Sequence, residues 1–273
     1  MTLGSVLGWT PIEWDDPLGG TIRLWPYIPH VVLTDTLRRT AGKWDGIAFL
    51  LPDDEPEIWE SQVEQERKSP GINRDAISSS GDTYSRMIQG MTTITSIQTN
   101  RFPDPEPRRL YQYANSASAS KPSFFIEPND EEWTKWVEDC ADEMTSLRNL
   151  ASSIFGGRAW KKALRESMLG ITPPEIERDD EKAHALALAS SLATTWWNRS
   201  ESMISVELRS RRDLRFAARL RGALRTLTSR QIDDESPPVL FVPVMQAWLP
   251  SIQNALMESP LPEEIEVELD DRS

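Results

Sequence analysis

The chain has 273 residues, a formal net charge of −13 and a pI near 4.8. That length is enough for one large domain or two small ones with a substantial core, and the acidic balance argues against a broad phosphate-backbone interface and so against nucleic acid. One cysteine, Cys140, excludes an internal disulfide and any multi-cysteine zinc or iron–sulfur site.

Residues 1–20 read as a Gly- and Pro-punctuated lead-in whose Trp9 and Trp14 fold back onto the domain, since exposed indoles are costly. They contain no basic n-region of a signal peptide. No apolar run approaches the ~20 residues a membrane helix needs. The expected setting is cytoplasmic, with no membrane contact.

Residues 21–27, TIRLWPY, predict a first strand with Pro26 near its end. Residues 30–41, HVVLTDTLRRTA, place Leu33 and Leu37 on one face of a helix that Gly42 stops. Residues 46–51, GIAFLL, predict a second buried strand, so strand, helix and strand suggest a right-handed βαβ unit. A polar helix over 55–68 follows, with Ile58, Trp59 and Val63 as its apolar contacts.

Between residues 69 and 120 periodicity fades. Composition alone suggests strands at 91–99 (MTTITSIQT) and 109–113 (RLYQY), with ANSASASKP at 114–122 a low-complexity loop. The Ser/Gly-rich run at 77–85 lacks a following Gly-Lys-Ser/Thr, so it reads as a loop rather than a phosphate cradle. A short strand at 124–127 leads into a helix capped by Asn129 or Asp130, with Glu131 and Glu132 in its first turn. Helices are expected at 159–168 and 180–197.

The stretch 205–256 carries the clearest pattern. Phe216, Leu220, Ala223, Leu224 and Leu227 recur at helical spacing. The run 239–244, VLFVPV, has the continuous apolarity of a strand buried on both faces, with Pro243 requiring its pairing to stop or to meet an open edge. A last helix follows. The tail at 259–273 is acidic, either frayed or an edge strand through Ile265, Val267 and Leu269. Together these elements predict an α/β fold: a single domain over 21–258 with a mixed, mainly parallel central sheet flanked by helices and a helix-rich second half.

Candidate chemistry is sparse. His184 sits among Ala183, Ala185 and Leu186 and reads as a surface or packing residue, whereas His30 lies just past a strand's C-terminal end, where α/β folds bind ligands. No G-x-S-x-G elbow is present. Seven arginines between Arg209 and Arg225 make one helix strongly basic. Their default role is pairing with the acidic remainder of the chain, and the sharper alternative is that Arg212 grips an anionic ligand with its two-pronged guanidinium. Eleven tryptophans read first as packing and second as a surface for sugars or aromatics.

Two separated segments resemble the TraB/ChaN-like superfamily, which includes the erythromycin esterases and Tiki proteases. Tyr27-Ile28-Pro29-His30 is similar to the family's G-x-x-H after its first strand. Residues 44–53, WDGIAFLLPD, are similar to the strand that ends in Glu-Leu. Arg211-Arg212-Asp213 opens a helix similar to the family's E-R-D helix, and residues 242–252 resemble the strand ending V-V-G-x-x-H. The resemblance covers about a third of the chain. It implies a strand-end site in which histidines and an acid hold a divalent ion and activate water. Here His30, Arg212 and Asp213 stand at matching positions, but Tyr27 replaces the glycine, Leu50 the acid and Trp248 the second histidine. A catalytic metal needs about three protein ligands, so no metal or cofactor is expected. Tyr27, Leu50 and Trp248 would instead fill the pocket. The leading expectation is a pseudoenzyme acting as a binding or scaffold component for a protein partner or a small anionic ligand. A divergent hydrolase of ester or peptide bonds rebuilt around His30 and Arg212, or a subunit of a larger assembly, are the alternatives.

Overall fold

A computed structural model describes residues 7–146, 156–230 and 236–265. Five strands form one sheet in the order β1 (Ile12–Asp15), β2 (Thr21–Tyr27), β5 (Val239–Met245), β3 (Gly46–Phe49), β4 (Ser123–Phe125). Only β1 runs antiparallel, paired with β2; the other pairs are parallel. The fold is therefore α/β with a mixed, mainly parallel sheet. The lead-in contributes the edge strand β1, which sequence periodicity did not reveal because IEWD is too short to alternate visibly.

The strand β5, last in sequence, inserts between β2 and β3, so those two are parallel without being neighbours. Pro26 and Pro243 both lie inside the β2–β5 ladder, in the pairs Pro26↔Val244 and Trp25↔Pro243. They are tolerated because the outer neighbours stop short: β1 reaches only Leu24, and β3 pairs with β5 only as far as Phe241. Past those points one flank of each strand is unpaired, and a missing N–H costs no ladder bond there. The β2 and β5 tips thus project together beyond the rest of the sheet.

Alternating side chains divide the interior into two apolar layers. On one face Trp25, Ile47, Phe49 and Phe241 pack against α1 (Asp35–Arg38), α4 (Thr83–Met91), α5 (Pro105–Ala114), α7 (Gly157–Gly170) and α8 (Asp180–Glu201). On the other, Ile22, Leu24, Phe124, Leu240, Val242 and Val244 pack against α6 (Glu131–Met144), α9 (Val206–Arg230) and α10 (Leu249–Met257). The helices α2 (Glu55–Lys68) and α3 (Ile72–Ser78) lie in the β3–β4 crossover, Trp59 of α2 meeting Phe49 edge to face.

The middle of the chain differs from the sequence expectation. Residues 109–113 are helical within α5, because Pro105 and Pro107 suit a first turn and Pro107, Leu110 and Ala114 then form a buried stripe. Residues 92–99 form no strand. Their hydroxyls finish α4 instead, Thr92 donating to Ile88 O at 3.0 Å, Thr93 to Gly90 O at 2.8 Å and Thr99 to Met91 O at 2.9 Å. Part of the 77–85 run is also helical, split between α3 and α4.

The expected helix over 30–41 shrinks to α1 and a 3-10 turn at Arg39–Ala41. His30 adopts φ 59°, Val32 N–H donates to Gln98 O at 2.9 Å, and Leu33 N–H donates to Glu106 at 3.0 Å, so this backbone is held by the 92–106 region. Glu106 is fully buried and also takes Arg38 and Arg109.

The basic helix α9 finds its charges within the chain. Arg221 forks onto buried Asp16 at 2.7 and 2.9 Å, Arg211 approaches Glu132 and Asp139, and Arg215 and Arg219 meet Glu263. The described part of the tail lies against α9, Glu263 N–H donating to Ala218 O at 3.0 Å. Gly222 permits this crossing, since a Cβ there would sit 1.7 Å from the Glu263 carbonyl oxygen. Val267 and Leu269, named in the strand alternative, lie outside the described residues. Among the described residues, no helix is long and apolar enough to cross a membrane.

Candidate functional site at the strand tips

The connection after β2 leads to α1 on one face of the sheet, and that after β5 leads to α10 on the other. Adjacent parallel strands whose following helices diverge leave a crevice between their C-terminal ends, the place where open α/β sheets take ligands. A cleft lies there, lined by Tyr27, Ile28 and Pro29 from the β2 end, Met245, Gln246 and Ala247 from the β5 end, and one side of α8. Its volume is about 220 Å3, the part open to solvent included.

His30 stands beside this cleft but turns away into the first layer. Its ring stacks on Phe102, with centroids 4.3 Å apart. Nδ1–H donates to the Arg101 carbonyl at 3.0 Å, and Nε2 accepts from the Tyr84 hydroxyl. This pattern needs the neutral ring, and burial pushes its pKa down to about 4. Asp104 accepts from His30 N–H at 3.3 Å, and burial raises its own pKa well above the usual carboxylate range. Burial likewise raises Tyr27 and Tyr84, reinforced by the charge of Asp104. The result is a closed cluster in which the His30 ring is neutral and both imidazole nitrogens have protein partners.

Arg212 occupies the second layer. Its fork grips Glu201 at 2.7 and 2.8 Å and its Nε donates to Asp213 at 2.9 Å. Trp197 and Trp248 cover the guanidinium at 5.3 and 4.8 Å, and Trp248 Nε1–H donates to Asp213 at 2.8 Å. Burial alone would lower the Arg212 pKa, but Glu201 and Asp213 outweigh it and raise it. Asp213 is itself raised by burial. The guanidinium offered to an anion by the sequence reading is thus occupied by two carboxylates of the chain.

Arg212, Asp213 and Trp248 converge, and Leu50 shares their apolar layer. Tyr27 belongs to the opposite layer and lines the cleft with its strand end. His30 contacts Tyr84, Arg101, Phe102 and Asp104, whereas Trp248 contacts Trp197, Asp213, Arg212 and Phe216. His184 is exposed, its Nδ1 2.7 Å from Asp180 O, a surface position. No group of three or more His, Cys, Asp or Glu among the described residues is placed to hold a metal ion.

Sequence reading missed the α8 wall. Ser190, Thr194, Trp196 and Trp197 line the cleft, and Trp196 packs on Tyr84 and Trp197 on Trp248 with tilted rings, centroids 5.1 Å apart in each pair. The adjacent indoles therefore bridge the two layers. The available signal was the pair Trp196-Trp197 itself, closing a helix otherwise rich in alanine and serine. No protein-family model, curated protein or solved structure matches this chain.

Proposed function

We propose that the chain is a non-catalytic binding component of the cytoplasm, a degenerate relative of the TraB/ChaN-like enzymes whose ligand enters between the β2 and β5 tips. One observation carries this reading: the polar atoms a hydrolase would use are committed to other parts of the chain. A general base needs a free lone pair within reach of the proton it removes. The His30 lone pair is taken by Tyr84 and its N–H by Arg101, while a pKa near 4 leaves a weak base. Arg212 could stabilise a developing negative charge only by releasing Glu201 or Asp213. The net charge of −13 disfavours nucleic acid as the partner.

Ester and peptide substrate panels test the reading with wild type and His30→Asn, asparagine being tolerant of the left-handed backbone at this position. The expected result is no turnover attributable to the protein. Turnover that the substitution abolishes, with circular dichroism unchanged, would establish the rival hydrolase.

A further inference from the structure

We propose that α9 carries a site for an extended acidic segment of a partner protein, and that the chain's own strap at residues 259–265 covers this site until the partner displaces it. The proposal goes beyond the binding reading above and does not involve the strand-tip cleft. After α10 the chain crosses α9 as neither helix nor strand. Pro260 O accepts from Arg221, and Glu263 N–H donates to Ala218 O at 3.0 Å. The Glu263 carboxylate lies 3.0 Å from Arg219 Nη1 and 3.2 Å from Arg215 Nη2. Two of these three attachments are to the strap's backbone, and Leu261 is 88% exposed. Of the side chains, α9 therefore recognises chiefly one carboxylate, which a foreign segment can supply as well.

The crossing point is shaped for a backbone. Gly222 lies inside the 25-residue helix α9, where glycine is less stable than alanine, and a Cβ there would stand 1.7 Å from Glu263 O. One turn earlier Ala218 is also small, and its carbonyl has a second lone pair for the crossing N–H. The receiving groups are held without the strap. Arg215 pairs with Asp130, Arg219 Nε donates to Ile126 O, and Arg221 forks onto Asp16. Donors fixed in advance in this way lose little freedom when a segment docks.

Charge sets the class of occupant. Among the described residues Glu263 is the one carboxylate paired with Arg219, so removing the strap leaves that guanidinium without an acid. A neutral or basic segment would not replace it. The strap is also displaceable. The Glu263 side chain keeps 32% of its exposure, and ion pairs that open to water contribute little. Pro260 and Pro262 reduce the freedom the segment loses on docking. Its main advantage is the tether, which gives an effective concentration on the order of millimolar. A partner segment with one contact more than the strap overcomes that advantage.

The test uses the full chain and a synthetic peptide of residues 259–265, SPLPEEI, followed by saturation-transfer NMR. Glu263→Gln and Glu263→Lys release the strap. Both variants are expected to bind the peptide with a Kd of about 1 mM or tighter, and wild type at least about ten-fold more weakly, because its own strap fills the groove. A peptide with glutamine at the position of Glu263 should bind the variants about ten-fold more weakly than SPLPEEI. Gly222→Ala closes the crossing point and should bind no peptide, with helical circular dichroism retained because alanine is the better helix former. Equal binding by wild type and the released variants, no binding by those variants at about 10 mM, equal binding of the glutamine peptide, or undiminished binding by Gly222→Ala would each overturn the proposal. Loss of cooperative unfolding in Glu263→Gln would overturn it too, since the strap would then hold the fold rather than cover a site. A wild-type dimer that Glu263→Lys abolishes would make a second copy the occupant, and the partner segment would be excluded. These outcomes are separate from His30-dependent turnover, which bears on the non-catalytic reading alone.

Discussion

His30 and Arg212 stand on opposite faces of the sheet, each more than nine-tenths buried, and they are satisfied in opposite ways. Around His30 the partners are a backbone carbonyl and a phenol, and the cluster is neutral. Around Arg212 they are two carboxylates and two indoles, and the cluster is ionic. The first is assembled by loops, the second by the facing ends of α8 and α9. The contrast separates two meanings of a buried polar residue near a strand tip. A neutral cluster is sensitive to pH and tolerant of losing one bond, whereas an ionic cluster collapses when one charge is removed.

Removing the Arg212 charge is the strongest way to break the comparison. Arg212→Met leaves Glu201 and Asp213 facing each other without a cation, and uncoupling a buried pair typically costs about 3–5 kcal/mol. Urea unfolding of the single variant should show a loss of that order. Combining it with Glu201→Leu and Asp213→Asn should recover most of the loss, since apolar replacement of a whole buried ionic group is often neutral. If the single variant unfolds at the wild-type midpoint, the charges are solvated and the cluster is not the one described.

The His30 cluster predicts an acid effect of next-largest size. Its folded pKa, about 4, lies below the ordinary 6.5, so the unfolded chain binds a proton that the folded chain refuses between those values. The sign follows: stability is full above pH 6.5 and falls as pH drops through 4. At ~1.4 kcal/mol per pKa unit the loss is about 3 kcal/mol at most. Asp104 works the other way, because its raised pKa stabilises the fold at low pH and loses that contribution as pH rises. The comparison with His30→Asn isolates the imidazole: the wild-type melting temperature should fall more steeply from pH 7 to pH 4 than the variant's. Parallel profiles would show that His30 is not held neutral by burial.

Much of the ionic half could be read from sequence, and little of the neutral half. Phe216, Leu220, Ala223, Leu224 and Leu227 fixed the buried face of α9, and the default pairing of its arginines with the acidic remainder holds for Arg211, Arg212, Arg215, Arg219 and Arg221. Helical spacing is local, so a single sequence carries it. The environment of His30 depends on Tyr84, Arg101, Phe102 and Asp104, from a stretch whose backbone is held by threonine and asparagine side chains rather than by a repeating ladder. No periodicity marks such a segment, and β-rich composition at 91–99 pointed the wrong way. The cleft was legible only in part: the resemblance named Tyr27 at a strand tip, but the α8 wall depends on which side of a helix buried around most of its circumference faces the crevice.

The finest test of the contrast is Tyr84→Phe, which removes one oxygen from the neutral cluster. The ring of Tyr84 carries the tilted ring contact with Trp196, and phenylalanine keeps it; only the donor to His30 Nε2 is lost. An acceptor left unpaired in a buried site costs about 1–3 kcal/mol, and the low end applies here because the imidazole retains its bond to Arg101 and its stack on Phe102. The expected loss is therefore about 1 kcal/mol in urea unfolding, with tryptophan emission unchanged. That is several-fold less than the Arg212→Met loss, although each substitution strips hydrogen bonding from a buried group. A deficit equal to the Arg212→Met value would mean that the Tyr84–His30 contact carries charge, and the division into a neutral and an ionic cluster would fail at that bond.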